Sequence, residues 1–291
     1  MARIGYLAGG PKGFEFFERM HAHGTVAFVS SHPVKNLDAD PYGDVVRLAE
    51  KHGYKFVPHD QLEASLWSSA DVVFAAGWQF LVKDAPETLV VFHDSPLPRY
   101  RGFAPTVTAL VNGEPEVGVT AFKPIAAPDA GPIYAQVRLP VTYPARIGDV
   151  YRRLADAYAE AAKQVVAMVD AGKLVGVPQD ESRATYSVWR DEKDYRIDWS
   201  WPSDRIERLV DAVSAPYGGA RTTYGGEEII VDEVRRVPEM KFEIRQPGKI
   251  WSLQGGEPMV VCGEGMLAIV AARRLDGRPA HFRFLRRRLG E

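Results

Sequence analysis

One cysteine, Cys262, stands alone in 291 residues. No internal disulfide and no cysteine-based zinc cluster can therefore form, and in its V-V-C-G setting the residue reads as a small buried apolar side chain. No run approaches the ~20 apolar residues that a membrane span needs. The N-terminal M-A-R-I-G-Y-L-A-G-G has too short an apolar core for a secretory signal, so a cytoplasmic location is expected. Neither sign of charge dominates. A net charge of -2 argues against a chain that lives on nucleic acid through bulk electrostatics, and leaves only local basic patches for that purpose. Common catalytic motifs are missing as well. Gly5, Gly9 and Gly10 have the wrong spacing for G-x-G-x-x-G, and there is no Walker A, H-E-x-x-H or G-x-S-x-G. None of the seven histidines forms a pair at metal-ligand spacing on an expected helix. His21 and His23 face apart at the end of an exposed-looking helix and are expected at the surface. No metal site is expected, and there is no internal repeat or low-complexity segment.

What is present is an ordinary globular composition, 46% hydrophobic and 25% charged, long enough for one large or two smaller domains. The first half alternates short apolar runs with helical patterns. R-I-G-Y-L (Arg3 to Leu7), V-A-F-V-S (Val26 to Ser30), Y-K-F-V-P, D-V-V-F-A-A (Asp71 to Ala76) and L-V-V-F (Leu89 to Phe92) read as strands. Helices are expected at Gly13 to His23, with Phe14, Phe17 and Met20 on one face, and at Gly43 to His52, which stops at Gly53. A short helix is expected near Gln61 to Trp67. Such alternation implies βαβ units, right-handed crossovers and a mostly parallel sheet covered on both faces, an α/β fold. Strands at Gly118 to Phe122 and Ile133 to Val141 follow, then a long Ala-rich helix from Ile147 to Gly172.

Past Asp180 the texture changes. A linker-like stretch leads to I-D-W and a helix from about Ser203 to Ser214. After it come only short β-like runs between Gly/Pro turns, which point to a small antiparallel barrel or sandwich. The boundary is expected near residues 185 to 205, which gives domains 1–190 and 191–291.

Two residues stand out in this frame. The stretch V-V-F-H-D-S-P-L-P-R-Y-R-G, Val90 to Gly102, puts His93 just past the fifth strand, where its two prolines stop regular structure. P-I-A-A-P-D-A-G-P-I, Pro124 to Ile133, puts Asp129 in a second stiff loop. Each has a structural reading: Asp129 as an Asx-turn residue bonding its own backbone, His93 as a hydrogen-bond partner of a neighbouring strand end. Each also has a functional one. Ligands of open α/β sheets bind outside the carboxyl ends of the strands, and a histidine and a carboxylate there make a proton-handling pair.

H-D-S-P-L-P-R-Y-R-G-F-A-P resembles the H-x-S-L-L-P-x-x-R-G-x-x-P motif of formyltransferases that use 10-formyltetrahydrofolate. A-L-V-N-G-E-P-E-V-G-V-T-A-F and P-D-A-G-P-I-Y-A-Q resemble that family's next helix-strand segment and its L-D-T-G-D-I-x-x-Q loop. Later, I-D-W with A-P-Y-G-G-A and Q-P-G-K-I with C-G-E-G-M-L-A-I resemble the extra barrel of the longer members. The resemblance implies an N-terminal Rossmann-like formyltransferase domain and a small OB-like β-barrel. It implies that His93 and Asp129 are catalytic and that 10-formyltetrahydrofolate is the co-substrate. The loops Gly77, Trp78, Gln79, Phe80, Leu81 and Ala126, Ala127, Pro128, Asp129 would wrap the pterin, with Trp78 and Phe80 equally readable as core residues beneath the cleft.

The chemistry suits these residue types. A neutral amine attacks the formyl carbon, and a histidine that donates to the developing oxyanion stabilises it, protonated His93 best of all. Asp129 would hold the histidine or relay the amine proton. One family position departs: where the pattern has Asn in N-x-H, this chain has Val91. The expected acceptor is the primary amine of a nucleotide-linked amino sugar. Methionyl-tRNA is the runner-up, kept open by the basic A-R-R-L-D-G-R-P-A-H-F-R-F-L-R-R-R. An inactive folate or nucleotide binder is the third reading, motivated by Val91. Barrel-bearing members of the family often dimerise, so a homodimer is an open expectation.

Overall fold

The computed structural model describes residues 1–34 and 40–291. In chain order the elements are β1 (Arg3–Ala8), α1 (Gly10–Met20), β2 (Thr25–Ser31), α2 (Tyr42–His52), β3 (Phe56–Pro58), β4 (Val72–Ala76), β5 (Leu89–His93) and β6 (Arg101–Gly102). Then follow α3 (Pro105–Val111), β7 (Glu116–Phe122), β8 (Ile133–Pro140), α4 (Ile147–Asp170), β9 (Tyr186–Ser187), α5 (Ser203–Ala212), β10 (Ala220–Tyr224), β11 (Glu227–Val237), β12 (Ile250–Gln254), β13 (Glu257–Val261) and β14 (Met266–Arg274). The chain divides into two compact units. One holds residues 1–102, 117–139 and 152–187, the other 103–116, 140–151 and 188–291.

The first unit is built on a seven-stranded sheet in the order β3-β2-β1-β4-β5-β7-β8. Its pairings are parallel from β3 through β5, whereas β7 runs antiparallel to β5. Chain progression reverses between β1 and β4, which makes the carboxyl ends of these two strands the switch point where a crevice opens. Strand alternation sorts the side chains onto two covers. Tyr6, Phe74 and Phe92 face Phe16 and Phe17 of α1 and Tyr158 of α4, with ring centroids 4.8–6.0 Å apart. Leu7, Val73, Ala75 and Leu89 face Phe28, Leu66 and Trp67 on the other side. The inner face of α1 is thus Gly13, Phe16, Phe17 and Met20, while Phe14 is only half-buried. Gly13 lies there because a Cβ would stand 2.6 Å from the Ala8 backbone. The short helix expected near Gln61 forms as two 3₁₀ turns, His59–Gln61 and Ala64–Ser69. The stop at Gly53 is a left-handed C-cap, φ 67°.

The second unit carries a five-stranded antiparallel sheet, β10-β11-β14-β13-β12. Gly225-Gly226 and Gly255-Gly256, all at positive φ, make the tight hairpins that two-residue turns require. Residues 287–290 then join the two edges: Leu289 N–H donates to Gly248 O, the Arg287 carbonyl accepts from Ile250, and Gly290 N–H donates to Thr223 O. This bridges the two edge strands and closes the sheet into a barrel. Ile206, Leu209 and Val210 form the buried stripe of α5. Among the described residues no helix is long and apolar enough to cross a membrane.

Candidate active site

His93 is the last residue of β5 and 9% exposed. Its Nε2 lies 2.8 Å from the Tyr100 carbonyl. A carbonyl only accepts, so Nε2 carries the proton and Nδ1 keeps its lone pair. Asp129 Oδ2 is 3.7 Å from that Nδ1, too far for a direct hydrogen bond and close enough for strong charge coupling. Burial pulls the His93 pKa below its ordinary value, and Lys12 adds to the fall, while Asp129 and the Tyr100 carbonyl oppose it. His93 is therefore neutral at pH 7. The desolvation of an enclosed imidazole outweighs the nearby carboxylate.

Asp129 sits at φ 51°, a left-handed conformation that Asp tolerates better than most residues. Its carboxylate does not close an Asx turn. Oδ2 accepts 2.7 Å from Gly102 N–H, 27 residues away. One short loop thus holds both groups: Tyr100 presents its carbonyl to His93, and Gly102 presents its N–H to Asp129. Between them Arg101 is 1% exposed, with its guanidinium on Glu181 (2.7 and 2.8 Å) and on Gln179 Oε1 (2.8 and 3.2 Å). Gln179 Nε2 in turn donates to the Asp129 and Gly131 carbonyls at 2.7 and 2.8 Å. The two stiff loops are one hydrogen-bonded unit.

The loop after β4 lies at the switch point. Gly77 is at φ 61°, and a Cβ there would stand 2.2 Å from Gly9 O, so the turns after β1 and β4 touch backbone to backbone. Trp78 packs half-buried against the apolar cluster that includes Val91, and its buried Nε1 has no hydrogen-bond partner. Phe80, 48% exposed, stacks on His59 at 4.7 Å. Gln79, Leu81, Ala127 and Pro128 are exposed. Of the two aromatics that the sequence leaves open, Trp78 is the one seated on the core.

Val91 lies two residues before His93 on the same sheet face and is half-buried among apolar neighbours. It offers no side-chain donor. Asp94 is the group that sequence reasoning passed over, although it directly follows His93. It is buried, forms an ion pair with Lys12 of α1, and accepts from the Tyr158 hydroxyl of α4. The Lys12 side chain is 40% exposed. Burial draws its pKa down to about 8, and the Asp94 carboxylate against it opposes that fall. No local signal marks Gln179, which acts on a loop 50 residues away in sequence. His21 also differs from expectation. His23 is exposed, but His21 is half-buried, 3.1 Å from the Tyr54 hydroxyl and with its ring 4.6 Å from His52. The end of α1 folds onto the end of α2, and burial with His52 lowers the His21 pKa. Among the described residues there is no group of three or more histidine, cysteine or acidic side chains that could hold a metal ion.

Known structures share this architecture. The N-formyltransferase from Helicobacter canadensis, solved with folinic acid and dTDP-3-aminofucose, superposes with a TM-score of 0.70 at 16% identity, over 92% of this chain and 99% of its own. HypX from Aquifex aeolicus, solved with tetrahydrofolic acid, superposes with a TM-score of 0.61 at 20% identity, over 97% of this chain. This chain spans less than half of HypX, 46% of its length. Methionyl-tRNA formyltransferase from Clostridium thermocellum superposes with a TM-score of 0.55 at 15% identity, over 82% of this chain and 94% of its own. In sequence, residues 190–288 match the formyl transferase C-terminal domain. With residues 19–166 matching the formyl transferase domain itself, the chain belongs to the formyl transferase family.

Proposed function

We propose that this protein moves a formyl group from 10-formyltetrahydrofolate to the primary amine of a small molecule, a nucleotide-linked amino sugar. Residues 1–190 would carry the transfer chemistry and 191–291 the accessory helix and barrel. The observation that carries the reading is the His93–Asp129 pair, held by residues 100–102 at the carboxyl edge of the sheet.

The chain's own residues can do the required work. Neutral His93 offers its Nδ1 lone pair to the proton of the attacking amine. The imidazolium that results faces Asp129 and keeps its Nε2–H on the Tyr100 carbonyl, so both partners stabilise it. Nδ1 then passes the proton to the folate nitrogen that leaves the formyl carbon, and the histidine returns to its starting state. The folate would lie along Gly77, Trp78, Gln79, Phe80, Leu81, Ala127 and Pro128. The unpartnered Trp78 Nε1 and the exposed loop around it suit a flat heteroaromatic ring with acceptor atoms.

The amino-sugar reading is supported by the near full-length likeness to the Helicobacter canadensis enzyme and its sugar nucleotide. The methionyl-tRNA reading keeps one specific observation: among the described residues Arg283, Arg286 and Arg287, on the last segment of the chain, have no carboxylate partner. A formyl-transfer assay decides between them. The protein is incubated with 10-formyltetrahydrofolate and a panel of nucleotide-linked amino sugars, charged methionyl-tRNA and free amino acids, and products are read by mass. A formylated amino sugar is the expected result. Formylated methionyl-tRNA would replace the acceptor, and folate binding without product from any amine would favour a binder that has lost the chemistry.

A further inference from the structure

The second unit carries a feature that the transfer chemistry does not use. The segment that leads to the barrel closure, residues 281–288, holds Arg283, Arg286, Arg287 and Arg288 and no acidic residue, in a chain whose net charge is -2. The segment is pinned to the barrel. The Arg283 and Phe284 N–H groups both donate to the Tyr224 hydroxyl at 3.2 Å, and the Arg287 carbonyl accepts from Ile250 N–H at 3.2 Å. Between this segment, the β10–β11 hairpin and the end of β14 lies a cavity of about 320 Å³, near the lower end of the range for small-molecule sites. Tyr224, Glu227, Arg274, Arg283, Phe284 and Arg287 line it. A second cavity of about 630 Å³ shares Arg287 and is lined by Lys249, Arg286 and Arg288, with no aromatic residue.

We propose that these cavities form a binding site for a nucleoside diphosphate, built from residues of the second unit alone: the base stacks on Phe284, Glu227 accepts from the ribose hydroxyls, and Arg283 and Arg287 clamp the phosphates. Phe284 is 60% exposed, and the Arg287 guanidinium lies 5.9 Å from its ring centroid. An open ring face beside a cation suits a planar ring whose far end is negatively charged. Among the described residues neither Arg283 nor Arg287 has a carboxylate partner, whereas Arg274 stands 3.5 Å from Glu227 and Arg288 3.0 Å from Glu291. A guanidinium fork matches phosphate oxygens two at a time. Glu227 is an acceptor that sugar hydroxyls can use and that a phosphate avoids. Rings and a carboxylate therefore stand at one end of the site, and cations dominate the other. A compact ligand with a base at one end and charge at the other fits that polarity. A polynucleotide repeats base and phosphate at every step. It would bring bases to a cavity with no ring and phosphates past Glu227. The site stands on the barrel alone and does not depend on formyl transfer.

The test uses the full chain and azido-ADP, a photoactivated analogue of ADP. After irradiation and digestion, labelled peptides are identified by mass spectrometry. ADP, inorganic pyrophosphate and a short oligouridylate then compete for the label on each peptide, so that the barrel is read separately from any nucleotide bound elsewhere. Label is expected on the peptides that hold Tyr224 or residues 281–287, and ADP should displace it at a concentration ~10-fold or more below pyrophosphate, as stacking on an aromatic ring requires. Arg283→Gln/Arg287→Gln and, separately, Phe284→Ala should each weaken ADP at this site by ~10-fold or more. All three side chains are exposed, so thermal melts should match the natural chain. Label confined to other peptides, or no label at all, overturns the site. Equal displacement by pyrophosphate and ADP overturns the nucleoside assignment in favour of a simple anion patch. An oligouridylate that displaces the label at lower concentration than ADP, and loses that advantage in the arginine variant, overturns it in favour of RNA.

Discussion

His93 Nδ1 and Asp129 Oδ2 stand 3.7 Å apart and are held by the same three residues, Tyr100 through its carbonyl and Gly102 through its N–H, with Arg101 locked between them. The proton-handling pair is therefore rigid as a unit, although its members lie 36 residues apart in sequence by their numbering. A group misplaced by about 1 Å can cost ~100-fold in rate, and the loop is what prevents this.

His93→Asn and Asp129→Asn should each lower kcat for formyl transfer by about 10³-fold or more while the fold stays intact. Circular dichroism and folate titration would check the fold and the binding. Near-normal turnover in either variant would remove the mechanism.

Arg101→Met should act on both members of the pair at once. It leaves Gln179 Oε1 unpaired and frees the 100–102 loop, at a stability cost of about 2–3 kcal/mol, and kcat should fall while folate affinity changes little. Gly102→Ala should be worse. Gly102 is at φ 97°, and its new Cβ would meet Ser187 O at 2.4 Å, so the N–H that holds Asp129 must move. Thermal melts and single-turnover rates would separate lost stability from lost chemistry.

Val91→Asn in the otherwise natural chain should not raise the rate much if other donors already serve the oxyanion. The amide also displaces a half-buried side chain that packs against the Leu7–Val73–Leu89 cluster, so a stability loss of about 1–2 kcal/mol is expected. A large gain in kcat would show that the natural site lacks a donor.

The rate should depend on pH through His93. It works as a base only when neutral, so kcat/KM rises as pH climbs through its pKa, which lies below 6.5, and a pH–rate profile would show that acid limb.

Asp211 on α5 gives a stability prediction in the second unit. Burial pushes its carboxyl up to about 6 from 3.8, against the pull of Arg146. The folded state thus holds a proton that the unfolded state releases between these values, and Asp211 weakens the fold as pH rises from about 4 to 6. Asp211→Asn should stabilise the protein at pH 8 by up to about 3 kcal/mol, with no gain below pH 4. Denaturant melts at the two pH values would measure it.

Much of the architecture could be read from the chain. Apolar runs such as Val72–Ala76 and the Gly53 helix stop depend on neighbours a few residues away, where periodicity and turn chemistry act. Strand direction at β7 was not legible, because nothing local tells a strand which way its neighbour runs. The inner face of α1 was misjudged for a related reason. Phe14 and Phe17 share a helical spacing, but the close approach of Gly13 to Ala8 turns Phe16 inward instead.

The sequence by itself determined the α/β fold, the barrel strands, and the two stiff loops that carry His93 and Asp129, since proline, glycine and strand patterning write these locally. Only the tertiary structure decided what those residues are. The enclosure of His93 makes it a neutral base. The 100–102 loop turns Asp129 away from an Asx turn and toward the histidine. The meeting of Lys12, Asp94 and Tyr158 from α1, the end of β5 and α4 ties the strand end after His93 to both helices. Burial and charge contact depend on which distant segments the fold brings together, and no spacing along the chain records that.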